Sequence, residues 1–123
     1  MKSNITGSRY VLAVKNLAIS ADYYKNELGF KTVWQGDGWH FLIRDNVKIM
    51  LGECPDEKPA AELGDHSYFA YFEVESIDTL YNEYKAKEVK FLGNIENKPW
   101  GQREFAIRTV DGHRITFGEK VAG

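Results

Sequence analysis

The chain has a single cysteine, no long apolar run and no excess of basic residues, and each of these shortages argues against a class of protein. Its single cysteine, Cys54, cannot form an internal disulfide, so a disulfide-stapled fold is excluded and a reducing cytoplasm is expected. No apolar run approaches the roughly 20 residues of a membrane span, and residues 1–10 lack the apolar core of a secretory signal, so we expect no membrane association. A net charge of −2 offers no basic surface for nucleic acid.

The composition is that of a compact folded chain. Hydrophobic residues make up 43% of the 123 residues and aromatic residues 14%, which argues against disorder. This length provides one ordinary hydrophobic core, so we expect a single domain over residues 1–123.

The sequence repeats itself once. Residues 41–44 and 105–108 read FLIR and FAIR, and residues 48–53 and 114–119 read KIMLGE and RITFGE. Segments 14–17 and 74–77 also correspond, so the repeat offset drifts only from about 60 to about 66 residues. Two copies are too few for a solenoid, and a pseudo-symmetric pair of modules is the better interpretation.

Local patterns give each module the order βαβββ. In the first module a strand at 10–14 precedes a helix from a Ser20 N-cap to Leu28, followed by strands that flank turns at 36–38 and 45–46. The second module repeats the order, with a helix from a Ser76 cap to about Lys87 and its next strand at 88–93. We predict an α+β fold with module one at about 8–53, a linker at about 54–66 and module two at about 67–120.

Period-two alternation assigns the strand faces. One face of each curled mixed sheet is expected to pack under its helix, and the other to line a cup-shaped cavity. The predicted helix-side residues are Tyr10, Leu12, Val14, Ile49, Leu51, Tyr68, Ala70, Phe72, Val74, Ile115 and Phe117. The predicted cavity side includes Met50, Phe69, Tyr71 and Thr116.

The doubled βαβββ order, with VKNLAISADYYKNELGF in front and PWGQREFAIRTVDGHRITFGE behind, resembles the vicinal oxygen chelate superfamily. That superfamily includes glyoxalases, dioxygenases and bleomycin-resistance proteins. The resemblance places the metal-ligand positions of its enzymes at Arg9, Met50, Phe69 and Thr116. None of the four is an ordinary ligand for a divalent metal, so we expect no metal and no cofactor.

An enzymatic alternative stays open at this stage. It is a glyoxalase-like lyase or isomerase, or a dioxygenase, whose metal ligands are divergent or relocated. Relocated ligands would come from His40, His66 and His113 together with Glu53, Glu73, Glu104 and Glu119. Scattered surface or packing histidines are the competing interpretation. Cys54 lies in an acidic linker and has nothing nearby to activate it as a nucleophile.

Within the superfamily, the segment Lys98–Phe105 is similar to the PWG-REF segment of the bleomycin-resistance proteins, with Gln102 as a one-residue insertion. This resemblance implies a metal-free homodimer, strand-exchanged in some members, that sequesters an aromatic or amphipathic ligand such as a bleomycin-type antibiotic. The predicted ligand-binding residues are Trp34, Trp39, Met50, Phe69, Tyr71, Trp100, Arg103 and Thr116. The alternatives are that the tryptophans pack in the core or at a dimer interface, and that Arg103 pairs with a carboxylate of the chain.

Overall fold

The computed structural model describes residues 3–63 and 67–121. They divide into two compact units, with the boundary between Glu57 and Lys58. Each unit is built from one helix and one four-stranded sheet. Within the described residues, no helix is both long enough and apolar enough to cross a membrane.

The first unit has the predicted βαβββ order. The first and last strands pair in parallel, and the other neighbouring strands pair antiparallel. Numbered in chain order, the strands lie in the sheet in the order first, fourth, third, second. Its elements are β1 Tyr10–Val14, α1 Leu17–Asn26, β2 Lys31–Gly36, β3 Trp39–Arg44 and β4 Val47–Glu53.

The second unit repeats this topology as β5-β8-β7-β6, again with the first and last strands parallel. A short 3₁₀ helix at Ala60–Glu62 lies at the start of this unit, before its first strand. Its elements are β5 Tyr68–Glu73, α2 Ile77–Ala86, β6 Glu96–Asn97, β7 Gln102–Arg108 and β8 Arg114–Lys120. The α+β class and the doubled βαβββ module are therefore confirmed.

Two predicted element boundaries are wrong. Helix α1 begins at Leu17 and not after Ser20, because the Asn16 side chain accepts a hydrogen bond from the Ile19 N–H at 3.0 Å and caps the helix one turn earlier. The strand predicted at 88–93 is reduced to one isolated bridge between Phe91 and Ile107. Positive φ angles at Glu88 (61°) and Gly93 (101°) break the extended backbone at both ends of this segment, and the regular pairing with β7 begins only at Glu96.

The internal alignment of the third strands is also wrong, by one residue. Leu42 pairs with Ile49, whereas Ile107 pairs with Ile115, so Leu42 corresponds to Ile107. The FLIR–FAIR match instead aligns Phe41 with Phe105. Phe105 lies on the helix side of its sheet, whereas Phe41 lies on the side that the helix does not cover. The following turn is one residue longer in the second unit, and a one-residue slip exchanges the two faces of a strand.

The cores follow most of the predicted alternation, although Tyr10, Ala70 and Val74 are only half-buried and Tyr68 is exposed. The predicted helix-side residues Leu12, Val14, Ile49, Leu51, Phe72, Ile115 and Phe117 are all buried. The Phe105 and Phe117 rings stack at 4.9 Å beneath α2. Tyr68, which was expected inside, is 65% exposed because the register of β5 shifts between Tyr68 and Ala70.

A glutamate at the end of each last strand caps the helix of its own unit. Glu53 accepts a hydrogen bond from the Leu17 N–H at 2.9 Å. Glu119 accepts two, from Ser76 N–H at 3.0 Å and Ile77 N–H at 2.9 Å. These N–H groups have no partner inside the helix, and the negative charge also suits the helix N-terminus. The Ser76 side chain makes no capping bond, so Glu119 performs that role.

Replacing the capping glutamates should destabilise each unit in proportion to the bonds lost. Glu119→Ala removes two charge-assisted hydrogen bonds and is expected to cost about 2 kcal/mol of unfolding free energy. Glu53→Ala removes one, and because Asn16 still caps α1 we expect about 1 kcal/mol. Chemical denaturation measures both, with Glu57→Ala, an exposed glutamate, as the matched control. Equal stabilities for all three variants would contradict the capping role.

Candidate functional site

Three aromatic rings form a continuous strip on the face of the first sheet that α1 does not cover. The Phe41 ring lies 5.2 Å from the Trp34 ring and 6.2 Å from the Trp39 ring, centroid to centroid. Trp34 is 47% exposed and Trp39 37% exposed, so both indoles are partly open to a ligand. We call Trp34, Phe41 and Trp39 the aromatic strip.

Two glycines allow the indoles to approach the strands closely. A Cβ atom at Gly52 would lie 3.0 Å from the Trp39 ring, and one at Gly36 would lie 3.1 Å from the Trp34 ring. The absence of a side chain at both positions therefore permits the close approach. Met50 pairs with Phe41 across β3 and β4, so it lies in the strand pair that carries the strip.

The second unit has a different arrangement on the corresponding face. The Glu104 carboxylate oxygen Oε2 accepts hydrogen bonds from the Trp100 Nε1–H at 2.8 Å and the Tyr71 hydroxyl at 2.9 Å. Glu104 is only 8% exposed, whereas Trp100 is 64% exposed. We call Glu104, Tyr71 and Trp100 the Glu104 cluster.

The position and the pKa of the Tyr71 phenol depend on Gly118 and on burial as well as on Glu104. It crosses over Gly118, where a Cβ atom would overlap its hydroxyl end. Burial, followed by the hydrogen bond and the negative charge of Glu104, raises the pKa of Tyr71 to about 12. Thr116 pairs directly with Tyr71, so this predicted site residue belongs to the same strand pair.

Two predicted site residues lie apart from these groups. Arg103 lies on the helix side of β7, where its guanidinium donates to both carboxylate oxygens of Asp78 on α2, at 2.9–3.3 Å, and to Asn97 at 3.0 Å. The Asp78 hydrogen bond raises the pKa of Arg103 further. Phe69 packs edge-on against Phe72 and His113 beside the β5 register shift.

A depression of about 420 Å³ lies at the edge of the second sheet, lined by Asn97, Arg103, Glu119, Lys120 and Val121. Two of its charged groups already have partners, since Arg103 binds Asp78 and Glu119 caps α2. The aromatic residues of the candidate site do not line it.

The relocated-ligand alternative can be tested on the side chains that it invoked. His40 is buried and hydrogen-bonds through Nε2 to the Thr32 hydroxyl at 2.7 Å, and burial lowers its pKa. Burial likewise lowers the pKa of His113. His66 lies outside the described residues. Within residues 3–63 and 67–121, no three His, Cys, Asp or Glu side chains are grouped so as to hold a metal ion.

The four positions that the resemblance assigns to metal ligands do not provide suitable ligand atoms for a divalent metal either. Met50 and Thr116 provide one soft thioether and one neutral hydroxyl, and Arg9 and Phe69 provide no donor. The residues of this chain therefore do not match the metal site of the superfamily's enzymes.

Sequence reasoning missed two contributors to the site. Phe41 was aligned with the core residue Phe105, although its spacing of two from Trp39 on one strand places it on the same face as that indole. Glu104 entered the sequence analysis only as an alternative metal ligand, because its bridging role depends on where the loop before β7 places Trp100.

Comparison of the whole chain with known protein families identifies the class of the protein. The chain belongs to the Glyoxalase/Bleomycin resistance protein/Dioxygenase superfamily, whose family model matches residues 8–117. It is 28% identical over 123 residues to the bleomycin resistance protein of Geobacillus stearothermophilus, with 89% of this chain and 93% of that protein aligned.

Solved structures share the fold. The bleomycin-binding protein from bleomycin-producing Streptomyces verticillus, complexed with copper(II)-bleomycin, matches with a TM-score of 0.74 at 21% identity and 99% coverage of each chain. A glyoxalase/bleomycin resistance protein/dioxygenase from Alicyclobacillus acidocaldarius matches with a TM-score of 0.81 at 13% identity, covering 99% of this chain and 96% of that one.

The Tyr71 hydroxyl should resist ionisation in the folded protein. Its raised pKa means that the folded chain keeps the proton up to about pH 12, whereas the unfolded chain loses it near pH 10. The stabilisation linked to this proton is therefore complete below about pH 10 and lost as the pH rises through about 12. Carbon-13 NMR of labelled tyrosine, with Tyr71→Phe to assign the signal, measures the titration. A Tyr71 midpoint near 10 would contradict both the burial of the hydroxyl and its contact with Glu104.

Proposed function

We propose that this protein binds and sequesters an aromatic or amphipathic small molecule, and that a bleomycin-type antibiotic is the first ligand to test. The relationship to bleomycin resistance proteins supports a ligand of this kind. The sequestering role places no requirement on a metal ligand, a nucleophile or a general base. The ligand-binding residues in this proposal are the aromatic strip with Met50, and the Glu104 cluster with Thr116.

The observation that carries the proposal is the aromatic strip. Exposed tryptophans are costly to leave in water, yet Trp34 and Trp39 lie partly open on a sheet face, with Gly36 and Gly52 beneath them. Their packing against Phe41 fixes the ring orientations before any ligand arrives. A flat heteroaromatic group stacking on an indole gains about 0.5–1.5 kcal/mol beyond the area that it buries.

The proposal also includes a homodimer. Val11 is 61% exposed and pairs with Met50 beside the strip, so the apolar surface extends beyond the tryptophans. Monomers rarely expose a large contiguous apolar patch, and a second copy of the chain would cover it. Sedimentation equilibrium is expected to give twice the 14.1 kDa chain mass. A strictly monomeric protein at all accessible concentrations would refute this part.

Removing either indole of the strip should weaken ligand binding without unfolding the protein. We expect Trp34→Ala and Trp39→Ala each to raise the dissociation constant for bleomycin at least tenfold, because each loses a stacking surface and its buried area. Isothermal titration calorimetry measures the constant.

The matched control is Ile19→Ala, which removes an exposed apolar side chain from α1, on the side of the first sheet away from the strip. Its affinity should stay within twofold of the parent protein. Far-UV circular dichroism confirms that all three variants fold. If the two tryptophan variants bind bleomycin as tightly as the parent, the strip is not the binding surface.

A further inference from the structure

We propose that Glu104 is a positioning residue whose carboxylate holds Trp100 and Tyr71 in a preformed, ligand-ready arrangement. That this arrangement serves ligand binding rests on the proposed function. The geometry of the arrangement does not depend on any ligand.

A single oxygen atom links two separate parts of the unit. Tyr71 belongs to β5, and Trp100 lies in the turn before β7, yet both donate to Oε2 of Glu104, at 2.9 and 2.8 Å. Hydrogen bonds to an ionised acceptor are stronger and more directional than neutral ones. Since Glu104 is buried on a central strand of its sheet, its own position is fixed by the sheet.

Trp100 depends on this bond because little else restrains its ring. The indole is 64% exposed and belongs to the central residue pair of a turn closed by the Gly101 N–H to Lys98 carbonyl bond at 3.1 Å. The Lys98 ammonium lies 6.0 Å from the ring but is itself paired with Glu96. An exposed side chain without a fixed partner samples several rotamers, and ordering it on binding reduces affinity.

The internal repeat supports the same reading of the site. Glu104 pairs with Gly118 as Trp39 pairs with Gly52, so these two residues occupy equivalent positions in the two sheets. In the first unit this position holds an aromatic residue, Trp39, whose own ring lies against Gly52. In the second unit a carboxylate occupies the position, and the rings of Tyr71 and Trp100 are attached to it by hydrogen bonds.

The first experiment uses no ligand. In a Trp34→Phe, Trp39→Phe background, Trp100 is the only tryptophan, and time-resolved fluorescence anisotropy reports its local motion. Glu104→Ala should at least double the amplitude of the fast decay. Glu104→Gln should restore the parent decay, because one amide oxygen can accept both bonds that Oε2 accepts. Equal decays for the parent and Glu104→Ala, or a Gln variant as mobile as the Ala variant, would overturn the proposal.

The second experiment measures bleomycin affinity by calorimetry in the chain that keeps all its tryptophans. Glu104→Ala is expected to weaken binding about tenfold, and Glu104→Gln by less than threefold. Glu57→Ala, an exposed glutamate in the segment after β4, is the matched control for both experiments, and circular dichroism checks the fold. If the parent protein does not bind bleomycin, the proposed function fails, while the anisotropy still decides the role of Glu104.

Discussion

A glycine followed by a capping glutamate at the end of the last strand organises each unit of this protein. Successive strand residues point to opposite faces, so Gly52 and Glu53, and again Gly118 and Glu119, act on opposite sides of their sheets. Each glutamate fixes the start of the helix on its own side. On the other side each glycine leaves room for an aromatic ring, Trp39 in one unit and Tyr71 in the other.

This constraint explains why the two halves carry different surfaces on the same framework. The helix-side contacts are alike, with aliphatic and aromatic side chains buried beneath α1 and α2. The uncovered faces have diverged. The first carries the aromatic strip, whose rings pack on one another, and the second carries a buried carboxylate that anchors a phenol and an indole. Both place partly exposed rings over a strand glycine.

The sequence predicted the repeated fold and most buried strand positions, because alternation and the capping region recur clearly in both halves. It did not predict the start of α1, since asparagine and serine are both acceptable caps, and the contacts of Asn16 with Ile19 and of Glu53 with Leu17 that decide the start form only in the fold. The FLIR–FAIR match did not reveal that the turn between β7 and β8 is one residue longer than the turn between β3 and β4. It therefore aligned Phe41 with Phe105, although the two side chains lie on different faces of their sheets. The β5 register shift similarly displaced Tyr68 and Phe69. Such bulges depend on pairing partners that local patterns do not contain.

The central claim is that the aromatic side chains on the faces not covered by the helices bind an aromatic or amphipathic ligand. The most direct test is a proton–nitrogen NMR titration of the three indole N–H signals with bleomycin, each assigned by one Trp→Phe variant. The account predicts saturable shifts of the Trp34 and Trp39 signals together with the Trp100 signal, while backbone amides of the buried strand residues Ile49 and Ile115 stay unchanged. Indole signals that do not move at saturating bleomycin would contradict it.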